Sequence, residues 1–147
     1  MDLLGLLGGE ASTTRVGLFV DGPNVLRDEF DVDFDDLRAL AADEGTVTSA
    51  RLYLDEHAPP SLIQAGEARG FDVVTTSGDV DVRLAVDATA AVVDGRVDVL
   101  IVVSRDTDFK PVLERAAREG VETVAVAPGE YGRSDALRNT AHRSTTL

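Results

Sequence analysis

Cysteine and tryptophan are absent from this 147-residue chain, methionine occurs once, and the only lysine is Lys110. Without cysteine there is no disulfide, no thiolate nucleophile and no zinc–thiolate site. Aromatic residues make up only 5%, and positive charge is scarce, with 14 basic against 27 acidic residues and a net charge of −13. Long apolar runs are missing too. The opening segment, MDLLGLLGGE, has one short apolar patch, no basic leader and no small-residue cleavage motif. It does not read as a signal peptide, and it falls far short of the roughly 20 residues that span a bilayer. The expectation is an N-terminal extension over residues 1–14, a cytoplasmic location and no membrane partner.

What is present is acidic, poor in lysine and rich in alanine, valine and threonine. That composition suits a cytoplasm filled with molar salt, where screening reaches only about 3 Å and surface carboxylates repel one another weakly. A halophilic protein is therefore expected, with most carboxylates facing solvent. In such a chain the usual demand that a nucleic-acid binder be basic loses force. At 44% hydrophobic, the chain is long enough for one well-buried domain.

Apolar runs alternate with helical patterns along the whole length. Val16–Val20 reads as a first strand, followed by a turn at Asp21-Gly22-Pro23-Asn24. Phe34, Leu37, Leu40 and Ala41 have the spacing of an amphipathic helix face, with Asp33 as its N-cap. Val47–Leu54 is a second strand, and a helix from Ser61 to Arg69 stops at Gly70. Phe71–Thr76 is a third strand. Asp81–Val93 reads as a helix with Val82, Ala85, Val86, Thr89 and Val93 on its apolar face, ending near Gly95. Val97–Val103 is the fourth and most hydrophobic strand. A helix over Asp108–Glu119, a fifth strand over Val121–Ala127 and a short helix over Ser134–Asn139 complete the chain. Strand–helix alternation of this kind implies one three-layer α/β domain with a parallel sheet and right-handed crossovers. Ligands of such sheets bind beyond the carboxyl ends of the strands, where strand order reverses.

Asp21 follows strand one, Asp106 and Asp108 follow strand four, and Asp79 and Asp81 precede the helix after strand three. A parallel sheet brings these points to one edge. Two ionised carboxylates about 4 Å apart repel by roughly 4 kcal/mol at an effective dielectric of 20. A divalent cation among them removes that cost, and oxygen ligands alone favour Mg²⁺ or Mn²⁺. Plainer duties compete: Asp106 or Asp108 as an N-cap, Asp21 as a turn residue, Asp81 against the helix dipole. Asp79, beside Gly78, reads as turn chemistry. Asp87, about 120° off the face of Asp81, reads as a supporting or surface residue. Asp28, Asp31, Asp33, Asp35 and Asp36 form a solvated charge run.

Four segments, GLFVDGPNVL, GDVDVRLAVDA, VSRDTDFKPVLERAAREGVETVAVAPG and SDALRNTA, resemble in order and spacing the NYN domain, a branch of the PIN-like nucleases, and small archaeal single-domain members above all. The resemblance implies a PIN-like, Rossmann-like domain over residues 15–147, with five parallel strands ordered 3-2-1-4-5. It implies an Mg²⁺- or Mn²⁺-dependent ribonuclease that hydrolyses phosphodiester bonds, preferably in single-stranded RNA. Asp21, Asp81, Asp106 and Asp108 take the positions of the metal-binding catalytic acids, and Asn24 that of the asparagine beside the first, where it is expected to orient the attacking water or a phosphate oxygen. Ser104 matches the small hydroxyl residue before the acid pair. Arg105, where many members have glycine, and Lys110 are candidate backbone contacts for RNA. His142 has no assigned role and reads as a surface residue.

Three alternatives stay open on the sequence. A haloacid dehalogenase-type phosphatase needs a second Asp at the position of Pro23, and a Toprim-like domain needs Glu at Asp21. The third is a catalytically degenerate domain that binds RNA or a protein partner without cutting. The expected partner is RNA, with a second copy of the chain as an open alternative.

Overall fold

A computed structural model describes residues 13–26, 32–129 and 135–147. Strands β1 (Arg15–Asp21), β2 (Thr46–Asp55), β3 (Asp72–Thr76), β4 (Val99–Val103), β5 (Glu122–Ala127) and β6 (Arg143–Thr146) form one sheet in the order β3-β2-β1-β4-β5-β6. Every neighbouring pair is parallel. The helices are α1 (Gly22–Val25), α2 (Phe34–Ala42), α3 (Pro60–Ala68), α4 (Val80–Val93), α5 (Lys110–Arg118) and α6 (Asp135–Thr140), with a 3₁₀ turn at Thr107–Phe109 ahead of α5.

Period-two alternation sorts the strand residues onto two faces. Val16, Leu18 and Val20 of β1 join Val99, Ile101 and Val103 of β4 in one buried cluster, covered by Leu37 and Ala41 of α2. Phe19 of β1 joins Leu100 and Val102 of β4 in the other, covered by Leu84 and Ala88 of α4 and Leu113 and Ala116 of α5. Both faces of the central strands are therefore dry, as parallel sheets require. Asp33 caps α2 as expected, accepting a 2.6 Å hydrogen bond from the Asp35 N–H. Gly120 ends α5 at φ 80°, where the N–H of Val121 bonds back to the Ala116 carbonyl, a left-handed helix stop that glycine adopts without strain.

Three expectations need correction. The sheet has six strands rather than five, so its order is 3-2-1-4-5-6. Arg143–Thr146 has no apolar residue to reveal a strand, and all its side chains are exposed. It is a strand because its backbone pairs with Val124–Ala127, while the Arg143 side chain bonds Glu122 and Glu44. Second, the segment after β1 is not a plain turn but a one-turn helix, Gly22–Val25. Gly22 is required there: a Cβ would lie 2.4 Å from the Tyr53 carbonyl oxygen and 2.5 Å from Leu54 Cδ2.

Third, the apolar face assigned to α4 is the wrong one. Its buried residues are Val80, Leu84, Ala88, Ala91 and Val92, whereas Val82, Val86 and Val93 are 56%, 59% and 47% exposed. Both stripes repeat at helical spacing, and periodicity alone cannot say which one faces the sheet. A polar clamp bears on the choice. Asp87 accepts hydrogen bonds from Tyr53 Oη (2.9 Å), Arg51 (3.2 Å) and Arg83 (3.0 Å), tying α4 to β2. Burial, more than the neighbouring charges, raises the Tyr53 phenol above its ordinary pKa. Asp87 thus supports the position of α4, as expected of a residue off the Asp81 face.

Candidate metal centre at the sheet edge

Strand order reverses between β1 and its neighbours β2 and β4, and the carboxyl ends of β1 and β4 lie side by side there. The register pairs Val20 with Val103, and the next residue of each strand is polar: Asp21 and Ser104. Alternation turns both toward the α4–α5 face, and the Ser104 hydroxyl donates to Asp21 Oδ2 at 3.0 Å. Both are almost fully buried, at 4% and 2% exposure. Burial is the chief reason that the Asp21 carboxyl is pushed up to about 6. The charges of Asp106 and Asp81 push the same way, against the Ser104 hydroxyl and the Asn24 N–H.

The loop after β4 is held from several sides. Asn24 Oδ1 accepts the Arg105 N–H at 3.0 Å, and Ser104 Oγ accepts the Asp106 N–H at 3.0 Å. Asp106 Oδ1 in turn accepts the Asp108 N–H at 2.9 Å and so caps the 3₁₀ turn. Capping is therefore one duty of Asp106, and it uses one of two carboxylate oxygens. Asn24 and Ser104 both act here as supports of the loop that carries the acids.

Asp81 comes from the first turn of α4 and meets this loop from across the reversal point. Asp81, Asp106 and Asp108 each offer a carboxylate oxygen, and the three oxygens lie within 4.8 Å of one another. Oxygens in an octahedral shell of radius about 2.1 Å stand roughly 3–4 Å apart, so small side-chain rotations close these three on one ion. The donor set, all carboxylate oxygen, fits Mg²⁺ or Mn²⁺ and not a soft metal. Asp21 stands outside this group of three but lines the same cavity, of about 340 Å³, with Asn24, Asp81 and Asp106.

Two further acids line that cavity, Asp55 and Glu56 at the end of β2. The rule that selected Asp21, an acid at the carboxyl end of a parallel strand, applies equally to them and was not extended that far. They are tied to their surroundings: Asp55 Oδ1 accepts the His57 N–H, and Glu56 accepts from the Ser77 hydroxyl. Asp79 also lines the cavity, at the N-cap of α4 in a left-handed conformation (φ 44°, ψ 46°) without a side-chain cap bond. That conformation agrees with its reading as a turn residue. Lys110 is exposed at the first position of α5, and Arg105 is half-buried beside Asp106.

Elsewhere, His142 is exposed yet engaged: its Nδ1 accepts the Thr123 N–H at 3.0 Å, and its own N–H donates to Thr123 Oγ1. It fastens the chain ahead of β6 and lies outside the cavity. Asp28 and Asp31 lie outside the described residues, as does Ser134. Among the described residues no helix is long and apolar enough to cross a membrane.

Known proteins agree with this architecture. A crystal structure of a protein of unknown function, VPA0982 from Vibrio parahaemolyticus, superposes with a TM-score of 0.79 over 92% of this chain and 93% of that one, at 24% identity. At that identity the likeness speaks for the fold alone. The uncharacterized protein MJ0482 of Methanocaldococcus jannaschii is 39% identical over 127 residues, 86% of this chain, and the match covers 52% of that relative's length. The chain thus spans about half of the curated relative. The profile of the NYN domain matches residues 15–147, and on that match the chain belongs to the NYN domain family.

Proposed function

We propose that this NYN domain is a divalent-metal-dependent ribonuclease acting on single-stranded RNA in a salt-rich cytoplasm. The observation that carries the reading is the meeting of Asp81 with Asp106 and Asp108, from stretches far apart in sequence, at the point where strand order reverses. Ordinary capping explains one of these acids and not their convergence. Asp81, Asp106 and Asp108 would hold Mg²⁺ or Mn²⁺, with Asp21 behind them at the floor of the cavity. When bound, such an ion supplies Lewis acidity toward water and positive charge against a phosphate.

The chain's own residues do the rest. Asn24 and Ser104 hold the Arg105–Asp106 backbone, so the acids are placed before substrate arrives. Arg105 and Lys110 flank the acids in sequence and would contact a phosphodiester backbone in a chain of net charge −13. Labelled single-stranded RNA, incubated with the protein in 2 M KCl, is expected to be cut internally with Mn²⁺ and to survive with EDTA. RNA that is retained on the protein but uncut under both conditions would favour the degenerate binding domain instead.

The same reading sets a salt requirement. Diluting KCl from 2 M to 0.1 M lengthens electrostatic screening from below about 3 Å to about 10 Å. With 27 acidic residues on 147, self-repulsion then acts between neighbouring surface carboxylates. The melting temperature is expected to fall by several degrees, measured by circular dichroism. An unchanged melting temperature would sink the halophilic assignment.

A further inference from the structure

Two of the exposed valines of α4, Val86 and Val93, form one wall of a groove distinct from the carboxylate-lined cavity. Ala85, Val86, Ala90 and Val93 line it from α4, and Pro111 and Val112 from α5; its volume is about 630 Å³. An open apolar groove is out of character in a chain with 27 acidic residues. Contiguous apolar surface of this kind marks a binding face more often than chance exposure.

We infer that the groove is the docking site of the chain's own N-terminal leucine segment, Leu3-Leu4-Gly5-Leu6-Leu7. Chemistry supports the match, since this is the one cluster of four leucines in the sequence and it precedes β1. Charge supports it as well. Arg115 and Arg118 border the groove, with Asp94 and Asp108 also in its lining; Arg115 pairs with Glu119, and Arg118 has no ion pair among the described residues. The leucines are flanked by Asp2 and Glu10, and no basic residue precedes Arg15.

The tether has the necessary length. Arg15 is anchored at the foot of the sheet, where its side chain and N–H both bond Asp98. Asp98 lies four residues after Asp94, the residue that ends α4 beside the groove. Those four steps span at most about 14 Å; Thr14 is held by the Thr46 N–H at its carbonyl, and the six steps from Leu7 to Thr13 reach about 20–22 Å. The segment Leu3–Leu7 itself adds about 13–14 Å, enough to lie along α4 from Val93 to Val86, about 10 Å of helix. A tethered segment also faces the groove at an effective concentration near the millimolar range, ahead of a second copy at ordinary protein concentrations. Asp108 closes one end of the groove, so the docked segment lies beside the carboxylate cluster.

The absence of native cysteine makes a cross-linking test clean. The full-length variant Leu6→Cys/Val86→Cys is treated with a short bismaleimide in 2 M KCl and assayed by intact mass. Leu6→Cys/Ser61→Cys is the control, because Ser61 is exposed on α3, which packs on the opposite face of the sheet. Leu6→Cys/Val93→Cys is a second reporter in the same groove. The expected result is intramolecular cross-linking of both groove pairs at least about tenfold above the control. Equal yields in all three overturn the proposal. So do covalent dimers from Val86→Cys alone at the yield of the pair, which would make a second copy the occupant.

Discussion

The variant Asp106→Asn is expected to keep its fold and lose both metal response and RNA cleavage. Asparagine ranks with aspartate as an N-cap, so the bond from the Asp108 N–H to residue 106 survives the change. What disappears is one negative charge and one ligand oxygen from a group of three. Outer-shell partners of metal sites cost about 10–100-fold in affinity or activity when removed, and loss of a ligand itself should reach or pass the upper end. Cleavage is therefore expected to fall by at least about 100-fold. Without metal the variant should be more stable than the wild type, because repulsion of Asp106 by Asp21 and Asp81 is relieved. A term of about 1 kcal/mol, after screening, raises the melting temperature of a domain this size by about 2–4 °C. Melting curves of both proteins, each with Mn²⁺ and with EDTA, decide the matter. Equal stabilisation of both by Mn²⁺ would show that Asp106 caps the turn and nothing more.

Asp21→Asn is expected to give the largest gain in metal-free stability. The wild-type carboxyl is raised from 3.8 to about 6 in the folded chain, chiefly by burial. A group whose folded pKa lies above its unfolded value binds more protons folded than unfolded across the interval between them. Its contribution is thus most favourable below pH 4 and is lost as pH rises through about 6. At pH 7 the buried anion costs about 3 kcal/mol relative to the protonated group. Asparagine can accept the Ser104 hydroxyl bond without that charge. In EDTA at pH 7 the variant should melt about 5–10 °C above the wild type. The difference should shrink toward zero at pH 4. The carboxyls of Glu44 and Asp98, each lowered by hydrogen bonds from an arginine, are common to both proteins and cancel in the comparison. A constant difference from pH 4 to pH 7 would mean that Asp21 does not carry the buried charge.

Much of the site was legible because parallel sheets concentrate function at one edge. Asp21, Asp106 and Asp108 follow apolar strands, and that position was informative where composition was not. Asp81 was legible because it opens the helix that follows strand three. Asp55 and Glu56 obey the same rule, since they follow Leu52-Tyr53-Leu54 directly, and their place in the cavity emerged only from the structure. The supporting bonds were not legible at all. Asn24 holds the Arg105 N–H from 81 residues away, and Ser104 joins Asp21 to Asp106 across a separation of 83 residues.

Residue order alone determined the α/β class, the alternation of elements, the helix stop at Gly120 and the N-cap at Asp33. These depend on hydrophobic period, backbone sterics and bonds between near neighbours, all written within a few positions. Only the tertiary structure decided which valine stripe of α4 faces the sheet. Each stripe is apolar and helically spaced; the bonds of Tyr53 and Arg51 to Asp87 join α4 to a strand more than 30 positions away. Only the tertiary structure added β6 as well. Its four residues carry no apolar signal, and its place comes from backbone pairing with β5 and from the ion pairs of Arg143. The carboxylate cluster stands between these cases. Sequence put its members at one edge, and packing of α4 against β1 and β2 set their separation, because distances between elements depend on side-chain volumes in the shared core.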